Sequence, residues 1–348
     1  MLSKLRLVSQ TIVHLKSIQL VYQIFYKFRN KWVRAQMFGN LGGYSGAGEL
    51  FLHNEHSFSP KSCNVLTTEK DTFEFAFLNL SREFPKTFIE WNFAGHGKLW
   101  TYNLNYFDFL FSENLSKNQG VELIKDYCKN YDNLQDGLEP YPISLRGINW
   151  IKYFSIHAIQ EKELNESLYR QYKILTSNLE YHLLANHLLE NGFSLLFAAY
   201  YFKNQDFYRI AEKILLTQLE EQLFIDGGHY ERSPMYHQII LFRLLDSINL
   251  VKNNAWGGKE ELSGFLTEKA EGMLSWLQKI TFSDGEIPMV KDAAYGIAPS
   301  SAFLCSYAKA LSVDSSVNRP LTDSAYRKLN EAGLELLFDV GGVSPSYQ

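Results

Sequence analysis

The sequence is poor in cysteine, with three among 348 residues, and these lie far from one another at Cys63, Cys128 and Cys305. Their number is odd and no two of them form a CxxC pair. The sequence therefore indicates neither a disulfide framework nor a cysteine-based zinc motif. We expect three separate thiols that are buried as small apolar side chains.

The sequence also lacks a strong excess of charge and any long apolar run. Its formal net charge is −4, which argues against nucleic acid as a partner. Its most apolar run, Phe193–Phe202, is about half as long as a membrane-spanning helix. HExxH, GxSxG, P-loop and GxGxxG patterns are missing, so zinc-protease, serine-hydrolase and nucleotide-binding chemistry have no support in the sequence.

What the sequence does have is a strongly helical pattern and enough apolar residues for a large core. Apolar residues make up 46% and aromatic residues 15% of the chain, so disorder is not expected. The apolar period predicts a mainly α fold, with many helices paired by short loops as antiparallel hairpins. The predicted helices span residues 104–115, 119–134, 145–161, 165–187, 193–203, 207–223, 234–253, 263–280, 300–312 and 323–333. Residues 68–90 are ambiguous.

These patterns divide the chain into three parts. Residues 1–67 hold a basic N-terminal helix and a loop, and residues 68–333 form one helical domain. Residues 334–348 read as the first strand of a truncated β-rich domain, because a lone strand cannot form a stable sheet. We expect the basic N-terminal helix to pack on its own domain, with contact to a membrane surface as the alternative. No signal peptide is visible, so a cytoplasmic location is the default expectation.

The stretch Asp226–His237 places a phenol and an imidazole in the first turn of a predicted helix. Ser233 is a good N-cap and Pro234 suits the first helical position, so Tyr236 lies near the positive end of the helix dipole. Positive potential favours the phenolate and lowers the pKa of a tyrosine. The stretch therefore predicts a tyrosine that acts as a base and then as an acid. A well-capped helix start with an ordinary Tyr-His pair is the alternative.

A second polar group is Asn186 with His187, which we place near the end of a helix that stops at Asn191-Gly192. Asn186 and Glu190 are four residues apart and so share one helix face. A buried asparagine is costly unless its amide is satisfied on both sides, which indicates a bound ligand. A polar C-terminal turn is the alternative.

A third group mixes aromatic and amide side chains between residues 91 and 150. Aromatic rings stack on sugar rings, amides bond hydroxyls, and an arginine can hold a carboxylate by two hydrogen bonds. The group indicates a carbohydrate site, with core packing as the alternative for each aromatic residue. The candidate substrate-binding residues are Trp100, Tyr102, Asn105, Tyr106, Arg146 and Trp150, together with Glu190 and Arg232.

Four sets of short runs stand out across these groups: Trp91-Asn92 with Lys98-Leu99-Trp100 and Asn105-Tyr106, Tyr141-Pro-Ile-Ser144 with Asn149-Trp150, Glu180-x-His182 with Asn186-His187, and Asp226-Gly-Gly-His229 with Glu231-Arg-Ser-Pro-x-Tyr236-His237. Together these runs resemble the heparinase II/III family, which includes oligoalginate lyases. The family implies an incomplete (α/α) toroid of helical hairpins followed by an antiparallel β-sandwich domain. It also implies cleavage of a uronic-acid glycan by β-elimination.

The resemblance also implies roles for four residues. Asn186 and His187 would neutralise and orient the uronate carboxylate, Tyr236 would transfer protons at C5 and at the leaving oxygen, and His237 would assist. The partner would be an acidic polysaccharide or oligosaccharide. In the family a further histidine and, in some members, a structural zinc come from the β-domain, so we expect no metal or other cofactor in this chain. The family makes the periplasm an alternative location.

Two other functions are left open by the residues. A toroid glycoside hydrolase would use carboxylates about 5 to 9.5 Å apart across one cleft, for example Glu190 or Glu231 with Asp226 or Asp292. A non-catalytic glycan-binding domain would bind the polymer without turnover. A carboxylate pair in the main groove, with Tyr236 far from it, would favour the hydrolase.

Overall fold

The protein is mainly helical, as predicted. The computed structural model describes residues 14–37, 44–52, 64–67, 71–256, 260–331 and 333–341, so residues 1–13, 38–43 and 53–63 of the predicted N-terminal part lie outside the described residues. The described helices are α1 (Ser17–Met37), α2 (Lys98–Tyr106), α3 (Lys117–Lys129), α4 (Pro140–Ile156), α5 (Lys162–Ser177), α6 (Ala185–Phe202), α7 (Gln205–Gln222), α8 (Pro234–Asn253), α9 (Glu260–Ile280) and α10 (Ser301–Ala310).

The helices form an inner and an outer row. Each inner helix packs against the next in the order α2, α4, α6, α8 and α10, while α3, α5, α7 and α9 lie outside them. Inner helix α6 is buried at every position from Leu188 to Phe202, whereas outer helix α7 exposes a face that includes Asp206 and Lys213. This alternation of buried and half-exposed helices gives the incomplete (α/α) toroid that we expected.

Helix α6 corrects the predicted boundaries. The chain breaks over residues 178–184, and α6 then continues through Asn191 and Gly192, so the break predicted there is wrong. A Cβ on Gly192 would lie 2.7 Å from Cγ2 of Ile214 in α7. Glycine is therefore required for close helix packing rather than for a turn. As a result, Asn186 with its neighbour His187 lies in the first turn of a helix, not in the last.

The ambiguous residues contribute to a three-stranded antiparallel sheet. Its strands are β1 (Asn64–Thr67), β2 (Thr72–Phe77) and β3 (Leu80–Pro85), in that order. Every second residue of β2 is a buried phenylalanine, and the ring of Phe75 packs at 5.0 Å from that of Phe109. The period of two in this short segment places one face of the sheet on the core.

The C-terminal segment folds as a hairpin. The helix predicted over residues 323–333 is wrong, because β4 (Tyr326–Glu331) pairs antiparallel with β5 (Leu334–Asp339). Gly333 turns the chain between them with a φ of 81°, a conformation that favours glycine. The strand predicted from residue 334 onwards is therefore present, but it has a partner.

The hairpin is attached to the helical domain. Tyr326 is buried, its hydroxyl donates to the carbonyl oxygen of Arg232 at 2.7 Å, and its ring packs 5.7 Å from that of Trp276. The assignment of residues 334–348 to a further β-rich domain stays a prediction, and residues 342–348 lie outside the described ranges.

Helix α1 packs against the loop that precedes α6. The hydroxyl of Tyr26 donates to the carbonyl oxygen of Leu179, and the ring of Tyr22 lies 4.8 Å from that of Tyr181. The outward face of α1 is apolar and exposes Ile18, Val21, Ile24 and Phe25. Across the described part of the chain, every helix is too short or too polar to cross a membrane.

Candidate active site

Residues from the first turns of two helices line the same cleft. Helices α6 and α8 are neighbours in the inner row, and their first turns bring Asn186, His187 and Tyr236 to the same cleft, which has a volume of about 650 Å³. All three side chains are partly exposed, so a ligand in the cleft can reach them. The other lining residues are Leu15, Gln19, Gln23, His182, Leu183, Ala185, Glu231, Ser233, Lys291 and Asp292.

Tyr236 is held by the cap that the sequence predicted. The Ser233 side chain accepts a hydrogen bond from the backbone N–H of Tyr236 at 3.4 Å, and Pro234 opens helix α8. At the far end of the side chain, the Tyr236 hydroxyl donates to Oδ2 of Asp292 at 3.4 Å. Both ends of the tyrosine are thus fixed on one wall of the cleft.

The pKa of Tyr236 is raised, not lowered as the helix dipole led us to expect. Burial raises it most, and the carboxylates of Asp292 and Glu231 raise it further because they disfavour a phenolate beside them. The partial charge at a helix start is weaker than these effects combined. Tyr236 is therefore a protonated phenol at neutral pH, which suits a proton donor.

His187 is oriented by a carboxylate that the sequence did not single out for a role. Its Nδ1 lies 3.2 Å from Oε1 of Glu180, which is buried and accepts a further hydrogen bond from Asn191 at 2.9 Å. The ring of Tyr141, at the start of α4, packs 4.7 Å from the imidazole. In the neutral tautomer that donates Nδ1–H to this carboxylate, Nε2 of His187 carries the lone pair. Glu180 belongs to the same sequence run as His187, but nothing in that run predicts their contact, because the irregular loop between them brings the two together.

Asp226 has a structural role. Its carboxylate is buried and is surrounded by hydrogen-bond donors of its own chain. It accepts from the backbone N–H groups of Gly228 at 3.0 Å, Thr322 at 2.9 Å and Ser324 at 3.0 Å. These bonds tie the loop before α8 to the segment before β4, and they leave Asp226 outside the cleft lining.

Glu190 belongs to a buried ionic network in the inner row. Its Oε1 accepts from Nε of Arg243 at 2.5 Å, and Nη1 of Arg243 lies 3.8 Å from Asp246, which also pairs with Lys152. Burial raises the pKa of Glu190, and the guanidinium of Arg243 opposes this shift. Among the four carboxylates named for a hydrolase, Glu190 and Asp226 are therefore engaged inside the protein.

His237 points away from the cleft. It is fully buried, its Nε2 lies 3.0 Å from the carbonyl oxygen of Met273, and its ring packs 4.4 Å from that of Trp276. Burial lowers its pKa to about 4, so the imidazole is neutral at physiological pH. The structure thus brings Asn186, His187 and Tyr236 together and places His237 against helix α9. Its role in catalysis stays a prediction.

Four of the predicted substrate-binding residues lie in the core: Trp100, Asn105, Arg146 and Trp150. Asn105 donates to two backbone carbonyl oxygens, at 3.0 and 2.8 Å. Arg146 donates from Nε to Gln171 at 2.7 Å and from Nη1 to the Asn105 carbonyl oxygen at 2.9 Å. The Asn105 amide nitrogen and two of the three Arg146 guanidinium nitrogens are therefore paired inside the protein, while Nη2 of Arg146 is buried without a partner. All four residues lie outside the described cleft lining.

The remaining predicted residues also have internal contacts. Tyr102 donates to Glu139 at 2.8 Å, and the ring of the buried Tyr106 lies 6.0 Å from that of Tyr141. Arg232 has a φ of 58° and packs its guanidinium 5.5 Å from the centre of a phenylalanine ring. Substrate binding by these residues stays a prediction.

No metal site emerges from the described residues, where no group of three or more His, Cys, Asp or Glu side chains could hold an ion. Cys128 and Cys305 are free thiols, and Cys63 lies outside the described residues. Burial raises the pKa of Cys128 to about 11, so its thiol is protonated and inert at neutral pH. The expectation that the chain needs no cofactor stays a prediction.

Comparison with known proteins points to one family. Residues 149–315 match the family model described as heparinase II/III N-terminus. This range contains helices α5 to α10 and all three cleft residues at the two helix starts. No curated protein matches the sequence.

Two solved structures are similar to the chain. The heparan sulfate lyase HepC from Pedobacter heparinus is 16% identical, with 62% of this chain and 38% of that chain covered and a TM-score of 0.45. A heparinase III gene product with methylated lysines is also 16% identical, with 84% and 51% covered and a TM-score of 0.48. The match spans 38% to 51% of the length of these proteins.

Proposed function

We propose that this chain, whose residues 149–315 match the heparinase II/III N-terminus model, is a polysaccharide lyase domain that cleaves a uronic-acid glycan by β-elimination. The observation that supports this most is the meeting of Asn186, His187 and Tyr236 in one open cleft. β-Elimination needs an offset for the uronate charge, a base for the C5 proton and a donor for the leaving oxygen. The three side chains can supply one each.

Asn186 binds the uronate carboxylate in this proposal. Its amide N–H groups can donate to a carboxylate oxygen, and it lies in the first turn of α6, where the helix dipole is positive. Offsetting the carboxylate charge makes the neighbouring C5 proton more acidic, because the negative charge that develops at C5 spreads onto the carboxylate.

His187 removes the C5 proton. The hydrogen bond between its Nδ1 and Glu180 favours this role, because it leaves Nε2 as the free base and stabilises the imidazolium that forms. The electron pair of the broken C5–H bond then forms the C4–C5 double bond, and the bond between C4 and its oxygen breaks. A base role replaces the carboxylate-binding role that the resemblance alone implied for His187.

Tyr236 donates its proton to the leaving oxygen. Its raised pKa supports this role because the phenol keeps its proton until negative charge appears on that oxygen. The phenolate formed regains a proton from solvent, and the His187 imidazolium loses one, so protons balance over the cycle. His237 fixes helix α8 against α9 and acts on the substrate only through Tyr236.

The test is formation of the unsaturated uronate product, followed by its ultraviolet absorbance. We expect absorbance to rise when the chain, or a longer form that continues past Gln348, is incubated with at least one polymer from a panel of glucuronate, iduronate, mannuronate and guluronate glycans. Tyr236→Phe and Asn186→Ala should each lower the rate by at least about 100-fold. Tyr295→Phe, at an exposed tyrosine outside the cleft lining, is the matched control. No product from any polymer would refute the lyase.

A glycoside hydrolase is the second candidate because Glu231 and Asp292 both line the cleft. The two functions differ in their products: a hydrolase adds water and creates reducing ends without new ultraviolet absorbance. Tyr236 lies beside this carboxylate pair, which favours the lyase. Reducing ends that form without absorbance, and that are lost in Asp292→Asn, would establish the hydrolase instead.

A further inference from the structure

The backbone is strained immediately before Asn186. Leu184 and Ala185 have φ values of 62° and 51°, left-handed conformations that residues with a Cβ rarely adopt. Strain of this kind persists only where surrounding contacts enforce it, and it concentrates at functional sites. The contacts that hold the Ala185 backbone therefore also determine the direction in which the side chains of Asn186 and His187 project from the first turn of α6.

Gln222, the last residue of α7, holds Ala185. Its side chain is fully buried, and Nε2 donates to the Ala185 carbonyl oxygen at 2.9 Å. On the other side, its Oε1 lies 3.1 Å from Nε2 of His229 in the loop that leads to Tyr236. Its backbone carbonyl oxygen accepts from the N–H of Tyr230 at 2.8 Å. One residue of the outer row therefore touches both segments that carry the cleft residues.

The Gln222 bridge works in one orientation only. The amide nitrogen donates and the amide oxygen accepts, so Nε2 of His229 must carry a proton. Burial lowers the pKa of His229 well below its ordinary value, which keeps the ring neutral. If the amide were flipped, its oxygen would face the Ala185 carbonyl oxygen and its nitrogen would face the Nε2–H donor of His229, so neither hydrogen bond could form. The orientation of Gln222 is thus determined by both segments at once.

We propose that Gln222 is a positioning residue that fixes the first turn of α6 relative to the loop before Tyr236. The inference rests on the proposed lyase function, in which His187 acts at C5 and Tyr236 acts on the oxygen that leaves C4 of the same sugar. Their separation must match that substrate, and a misplacement of about 1 Å can cost about 100-fold in rate. Gln222 touches neither substrate nor reacting atoms, so it acts only through Ala185 and His229.

The first test compares Gln222→Leu with Asn165→Leu in the full chain. Asn165 is also buried, and the control likewise removes a side-chain hydrogen bond to a neutral partner, but it does so in α5, outside the cleft lining. We expect Gln222→Leu to lower kcat by about 10- to 100-fold with a much smaller change in KM. Hydrogen exchange should become faster in both segments, residues 183–190 and 228–237. Asn165→Leu should leave kcat and both segments unchanged.

The second test uses Gln222→Glu and a pH profile. A protonated glutamate keeps a donor for Ala185 and an acceptor for His229, whereas an ionised one loses the donor. We therefore expect the activity of Gln222→Glu, relative to the wild type, to recover as the pH is lowered. A residue that merely filled space would show no such recovery.

The outcomes separate this inference from the lyase itself. Unchanged kcat in Gln222→Leu, or exchange that rises in only one of the two segments, would overturn the positioning role while the lyase stands. Absence of turnover by the wild-type chain and its longer form would overturn the lyase. The exchange measurement needs no turnover, so it would still decide whether Gln222 couples the two segments.

Discussion

Acidification should destabilise this protein, because the folded state buries two neutral histidines. His237 is fully buried, and burial lowers its pKa from 6.5 to about 4. His229 is also fully buried, and its pKa is lowered well below 6.5 by burial and by His237. Neither imidazole can take up a proton in the folded state at mildly acidic pH, whereas both can do so in the unfolded chain.

The size of the effect follows from the pKa difference. Between pH 6.5 and about 4 the unfolded chain binds a proton that folded His237 does not, so the free energy of unfolding falls as the pH falls through this window. The contribution is fully present above pH 6.5. About 2.5 pKa units correspond to about 3 kcal/mol for His237, at about 1.4 kcal/mol per unit. That is a large part of the roughly 5–15 kcal/mol by which domains are stable.

The assay is urea unfolding at a series of pH values across this window. In the wild type, the free energy of unfolding should fall by about 1.4 kcal/mol per pH unit for each of the two histidines. His237→Gln should remove one of these contributions and so reduce the slope. A wild-type slope close to zero, or an equal slope in His237→Gln, would refute the burial argument.

Three further predictions address the packing and the site. Gly192→Ala should destabilise the protein by about 1–3 kcal/mol, because its Cβ would lie 2.7 Å from Ile214; an unchanged thermal midpoint would contradict this. Glu180→Gln should lower turnover by about 100-fold, because the imidazolium formed at His187 loses its counter-charge. Steady-state kinetics measure this, and wild-type turnover in the variant would remove Glu180 from the mechanism. Asp292→Asn should lower the pKa of Tyr236, since it removes a carboxylate that raises that pKa. Spectroscopic titration of the phenol, with Tyr236→Phe as the blank, would show an unshifted curve if the reasoning fails.

Local capping residues allowed both ends of one helix to be predicted, whereas the boundaries of other helices depend on tertiary packing. Helix α8 runs from Pro234 to Asn253 as predicted, because Ser233 and Pro234 mark its start without help from the rest of the fold. At Gly192 the local sequence was misleading. A glycine is typical of a helix end, but here its small size allows α6 to pack closely against α7. The sequence of residues 323–333 predicts a helix, because only the pairing with β5 identifies Tyr326–Glu331 as a strand.

The site residues that form short motifs could be predicted from the sequence. The residues that reach the site through loops, far from their partners in sequence, could not. Asn186-His187 and the Tyr236 stretch were found as short motifs, and the fold joins them in one cleft. Glu180 and Gln222 were missed as functional residues, since their partners come into reach only through the loops before α6 and α8. The amides and aromatic side chains of residues 91–150 indicated a sugar site, but the same groups pair with one another in the core.

The common starting edge of the inner helices places backbone charge at the cleft. Tyr141 at the start of α4 contacts His187 at the start of α6, and α8 begins at the same cleft. Each helix start carries about half a positive elementary charge from its backbone amides, and this effect falls off within the first turn. It therefore acts on a group that is bound in the cleft. Because this charge belongs to the backbone, replacing surface lysines leaves it in place.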